Sequence, residues 1–168
     1  MKTNQLTQIG FYIAMGVLLQ ILESFLPVMI LIPGFKIGLA NIVSLLALIQ
    51  MDRKSMWIVG FSRVFLASLL QGTFLSVTFW LSVSGCLCSL CAMSLAFQTK
   101  RFSIYGISVA GAAMHHVGQV MAITFLYQQY YMQLYLPVLL ALSVCSGLLM
   151  ALFAEQIAKR IGKERVYD

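Results

Sequence analysis

Apolar residues occupy the chain in six long blocks, at 9–26, 39–51, 56–70, 78–97, 104–127 and 136–157. Pro27 closes the first block, Asp52-Arg53-Lys54 the second and Gln71-Gly72 the third. About 20 apolar residues suffice to cross the hydrocarbon of a bilayer as a helix. Barrel strands are about 10 residues long and alternate in polarity, a pattern these blocks lack. Backbone polar groups in hydrocarbon must pair within their own segment, which makes each block helical. The pattern therefore predicts an all-α membrane protein: one domain over residues 1–168 with six transmembrane helices. Block 39–51 is short for a full crossing and predicts a tilted, partial or loop-extended helix. The first block is long for a signal peptide, and Leu22-Glu23-Ser24-Phe25 is a poor cleavage site, so it reads as a span. Pro33-Gly34 marks a turn in the loop that follows it.

Composition narrows the class. Of the 168 residues 61% are hydrophobic and 10% charged, with a mean hydropathy of +0.92. A soluble globule of this make-up would leave large apolar patches in water, and a disordered chain would be poorer in apolar residues. The net charge of +6 is scattered between the apolar blocks, which argues against nucleic acid as a partner. Nine cations, Lys2, Arg53, Lys54, Lys100, Arg101, Lys159, Arg160, Lys163 and Arg165, fall at the ends and in two alternate loops. In a six-span topology these places share one side, which the positive-inside rule makes cytoplasmic. Both termini are expected there. The opposite loops hold Lys36 and a run of tyrosine and glutamine at 128–135 that resembles an interfacial belt. Cys86, Cys88, Cys91 and Cys145 have neither zinc-site nor disulfide-framework spacing and read as small hydrophobes.

Polar residues within the apolar blocks are the candidates for function, because they are costly in a membrane. Glu23 lies near the outer end of the first helix and Asn41 at the outer start of the second. Gly60, Arg63, Ala67 and Gln71 share one face of the third. His115, His116 and Gln119 sit among small residues in the fifth, with the histidines near the midplane. Together with Lys36 these residues predict a polar pocket open to the outside and lidded by loop 28–38. Arg63 paired to Glu23, and histidines packing against neighbours, are the structural alternatives. Thr78, Ser82, Gly85, Ser89, Ala92 and Ala96 form a small-residue stripe that predicts close helix packing, and Gly10 and Ala14 form a shorter one.

Several chemistries are missing from the sequence. It has no phosphate-binding glycine loop, HExxH or nucleophile elbow. Its two aspartates, Asp52 and Asp168, form no carboxylate cluster for the Mg²⁺ of prenyl diphosphate chemistry. No cofactor or metal is expected, and the protein is not expected to act as an enzyme on its own.

The run LIPGFKIGLANIVSLLAL at 31–48, Arg63, LASLLQGTF at 66–74 and FWLS at 79–82 resemble the Gx transporter family, also called heptaprenyl diphosphate synthase component I. That family looks related to the substrate-binding S components of energy-coupling factor transporters. The resemblance implies an S-component-like bundle in a bacterial cell membrane that captures a small solute from outside, and the cations suggest an anionic or partly anionic one, such as a vitamin, cofactor precursor or phosphorylated compound. It also implies a transmembrane coupling subunit and cytoplasmic ATPases as partners. S components commonly dock through AxxxA on the first helix, and the matching stretch here is Gly10-Phe-Tyr-Ile-Ala14. From the polar positions themselves, the expected capture residues are Glu23, Lys36, Asn41, Arg63, Gln71, His115, His116 and Gln119, with Glu23 orienting Arg63 or Lys36. Two rival readings stand beside this one: an accessory membrane subunit of polyprenyl diphosphate or quinone synthesis, and a membrane adaptor without a solute.

Overall fold

The structure is a computed structural model that describes residues 3–25, 38–128 and 130–161. Among these residues the secondary structure is helical throughout. It comprises α1 (Thr3–Ser24), α2 (Leu39–Gln50), α3 (Arg53–Leu70), α4 (Val77–Gln98), α5 (Ile104–Tyr127) and α6 (Leu136–Ile161), with a 3₁₀ turn at Tyr130–Tyr135 leading into α6.

Helix starts follow capping chemistry. Asp52 accepts the Ser55 amide at 2.6 Å, so Arg53 and Lys54 lie inside the first turn of α3 and not in a loop before it. Ser76 and Ser103 cap α4 and α5 in the same way. Gly38, with φ +85, precedes α2 in a left-handed conformation that only glycine adopts without strain. α1 begins at Thr3, six residues before its apolar block, and α6 runs on to Ile161 with Lys159 and Arg160 in its last turn. Both extensions are polar turns that hydropathy alone assigns to loops.

Four segments, Asn4–Ser24, Val77–Gln98, Ile104–Tyr127 and Gln133–Arg160, are long and apolar enough to cross a bilayer. α3 has 18 residues but includes Arg53, Lys54 and Arg63. α2 has 12 residues, a rise of about 18 Å. Its surroundings account for its shortness. Every residue from Ala40 to Gln50 is buried, and α2 packs against α1, α3, α5 and α6. LANIVSLLALIQ is apolar on every side, as a helix enclosed by others should be. The main core cluster is built around it, with Val43, Leu45, Leu46 and Leu48 meeting Met56, Val59 and Leu90.

The small-residue stripe of α4 packs internally. Ser82, Gly85, Ser89 and Ala96 are buried, Ala92 is half-buried and Thr78 is exposed. A methyl group on Gly118 of α5 would come 2.6 Å from the Ser84 carbonyl oxygen, which shows how closely α5 lies against α4. Gly10 and Ala14 are exposed instead, with nothing within 4 Å of the position a Gly10 methyl would take. Of the cysteines only Cys86 is buried. Cys88 is half-buried, and Cys91 and Cys145 are exposed. Both lie on outward helix faces, to which spacing alone is blind.

Candidate functional site

Five helices bring polar side chains together at the end of the bundle where α1 finishes and α2 begins. On α1, Gln20, Glu23 and Ser24 recur at three and four and face inward as a group. The Gly38 amide donates to the Glu23 carboxylate, tying the end of α1 to the start of α2. Asn41 follows in the first turn of α2, its amide donating to the Gly38 carbonyl at 2.8 Å.

Arg63 reaches this region from the middle of α3 and is 3% exposed. Its side chain lies across α1 at Gly16, where a methyl group would approach Arg63 Cδ to 3.1 Å. Nη2 donates to Asn41 Oδ1 at 2.7 Å, and the guanidinium also reaches the Cys86 thiol. Its Nε is buried without a hydrogen-bond partner. Gln20 Oε1 is likewise buried and unpartnered.

Two adjoining hollows occupy the space between these groups. The deep one, about 20 Å³, is lined by Gln20, Glu23, Asn41, Arg63, Ser82 and His115 among others. It is large enough for a water-sized group. The wide one, about 200 Å³, is lined by Gln20, Glu23, Ser24, Ser68, Gln71, Thr73, Thr78, Phe79 and Ser82. Gln20, Glu23 and Ser82 line both, so the hollows form one site of two lobes. Gln71 Nε2 and Ser24 Oγ, 3.4 Å apart, link α3 to α1 at the rim.

The structure therefore gathers Glu23, Asn41, Arg63 and His115 around the deep lobe, with Gln71 at the wide one. His116 and Gln119 are buried beside them and contact each other, Nδ1 to Oε1 at 3.3 Å, without lining either lobe. Successive helical residues point about 100° apart, so His115 faces the lobe while His116 turns into the α5 packing. Gly85 makes the room, since a methyl there would lie 2.9 Å from both His115 Cε1 and Gln119 Cγ. Lys36 and loop 28–37 lie outside the described residues. Glu23 forms no ion pair with Arg63. Asn41 accepts from Arg63 instead, and the single ion pair among the described residues is Lys159–Glu155.

Sequence reading missed Gln20, Ser68, Thr73 and Phe79, and took Ser82 for packing alone. The spacing of Gln20 to Glu23 and Ser24 was the available signal. Among the described residues no three His, Cys, Asp or Glu side chains converge as a metal ion would require. Chemically, the site offers a guanidinium, a carboxylate, amides, an imidazole and hydroxyls around a space for a small polar molecule.

Residues 12–157 match the family described as heptaprenyl diphosphate synthase component I. The chain belongs to that family. The match takes in every helix from the middle of α1 to the last turns of α6, and with them all residues of the two-lobed site. No curated protein and no solved structure matches the chain.

Proposed function

We propose that this component I protein is a solute-capturing subunit of a bacterial cell membrane, of the S-component type used by energy-coupling factor transporters. The reading has six spans, both termini in the cytoplasm and the two-lobed site opening outward. The protein acts by binding, and the energy comes from a separate coupling subunit with its ATPases. Arg63 carries the proposal. A cation near mid-depth costs about 3 kcal/mol on insertion scales. Here it is buried, its one strong acceptor is the neutral Asn41, and Nε faces no partner. An anionic group of a bound solute would satisfy it. Full-length protein extracted in mild detergent should retain a small molecule in native mass spectrometry, and Arg63→Ala should lower its occupancy more than tenfold. Equal occupancy in that variant refutes the assignment.

A second reading has its own support. The family description points to prenyl diphosphate synthesis, and a lateral apolar hollow of about 400 Å³ lies between α3 and α4, lined by Phe61, Val64, Phe65, Phe79 and Val83. An accessory subunit would use that hollow for an isoprenoid tail beside a catalytic partner. This reading predicts that the chain raises product formation by a prenyl diphosphate synthase subunit, and that Arg63→Ala leaves the effect intact.

A further inference from the structure

Among the described residues the two-lobed site holds one charge of each sign, and they form no ion pair with each other. Arg63 and Glu23 both line the deep lobe, yet the ion pairing among the described residues does not include them. Each is held by a neutral group from the start of α2. Asn41 Oδ1 takes Arg63 Nη2, and the Gly38 amide donates to Glu23. Opposite charges in one part-buried hollow attract more strongly than in bulk water, because the local dielectric is lower. Holding them on separate neutral partners leaves each able to meet a ligand. Two buried atoms without partners beside these charges repeat this division. Arg63 Nε is a donor without an acceptor, and Gln20 Oε1, one helical turn before Glu23, is an acceptor without a donor.

We propose that the solute is amphoteric. Its anionic group sits against Arg63 and Asn41, and an ammonium or other N–H donor group sits against Glu23 and Gln20. This deepens the solute-capture reading and rests on it. Net charge agrees: among the described residues Arg63 and Glu23 cancel, and a solute carrying one charge of each sign adds no net charge to them. A solute with only an anionic group would leave the Glu23 carboxylate to the Gly38 amide alone and Gln20 Oε1 with no donor, and unmet buried acceptors are costly. The wide lobe suits an uncharged, hydrogen-bonding body, since Ser24, Ser68, Thr73 and Thr78 supply hydroxyls and Phe79 an apolar face.

The test exposes detergent-solubilised full-length protein to a polar-metabolite extract of the expressing cells and reads retained masses by native and fragmentation mass spectrometry. Two variants accompany it. Glu23→Gln keeps an oxygen for the Gly38 amide and removes only the charge, whereas Arg63→Gln removes the charge and shortens the side chain, so the unfolding midpoint of each variant is measured beside its occupancy. The expected result is a retained compound bearing both an acidic group and an amine or N–H donor, with occupancy at least tenfold lower in either variant. A retained acid with no donor nitrogen, whose occupancy survives Glu23→Gln and falls in Arg63→Gln, overturns the amphoteric assignment and leaves solute capture standing. Retention of nothing by the parent protein overturns both.

Discussion

Arg63 and Lys159 each place a cationic nitrogen on an oxygen, at 2.7 Å and 2.6 Å, in opposite settings. Lys159 lies in the last turns of α6 with a side chain 62% exposed, and its partner is the Glu155 carboxylate, which also accepts from the Tyr105 hydroxyl. Arg63 is buried and has an amide oxygen. Water does most of the work at the first site, so the ion pair there contributes little. At the second site the protein alone must hold the charge, and it does so incompletely. Of these two cations, the one among the charged turns meets a carboxylate and the one beside the hollow keeps an unmet Nε.

The largest expected effect breaks the contrast at its buried side. Arg63→Met keeps the length of the chain and removes its charge. Replacing buried charge by apolar bulk is often neutral or stabilising, so the empty protein should keep its thermal midpoint while solute occupancy falls more than tenfold. A large fall in midpoint would mean that Arg63 serves the fold.

Gly85→Ala tests whether His115 is held in place by space alone. The added methyl, 2.9 Å from His115 Cε1 and Gln119 Cγ, should cost about 1–3 kcal/mol in detergent unfolding, as overpacking does. The same change at Gly10, where nothing lies within 4 Å, should have no such cost.

Asp52→Ala removes the cap of α3 at the charged end and should cost about 1 kcal/mol. The Ser55 hydroxyl and amide hold the Asp52 carboxyl below its ordinary range, with a smaller contribution from Lys54. A depressed folded pKa means that the cap's contribution is complete above the unfolded carboxylate range and fades as pH falls through the folded value. The gap between parent and Asp52→Ala midpoints should therefore narrow on acidification below about pH 4. A constant gap would assign the cap's effect to something other than the ionised carboxylate.

The smallest effect is expected from Lys159→Ala, which should leave the unfolding midpoint unchanged within error. A resolved loss would show that the exposed pair with Glu155 is stronger than its setting implies.

Much of this contrast was legible in the order of residues. A lone arginine within an apolar block, on one face with Gly60 and Ala67, marked the buried side, and all three residues are buried. Asn41 and Glu23 were recognisable for the same reason. Helix ends were less readable, because Asp52-Arg53-Lys54 looks like a loop until the aspartate is seen to cap the helix that contains the two cations. The choice between His115 and His116 needs the rotation of α5 about its axis. Periodicity cannot supply that rotation when small residues surround both. Gln20 escaped because a glutamine among leucines is usually a packing residue. Its importance depends on an unmet oxygen that only three dimensions expose.

The enclosure of α2 bears on how such a protein could be made. A rod of about 18 Å cannot by itself reach across a hydrocarbon layer about 30 Å thick. If the chain crosses a bilayer as proposed, α2 has no stable life as a solitary inserted segment. It must enter together with a neighbour, as one arm of a hairpin, and its burial is complete only when α6 emerges from synthesis and packs against it. Truncation before α6 would then leave the centre of the bundle uncovered and exposed to membrane quality control.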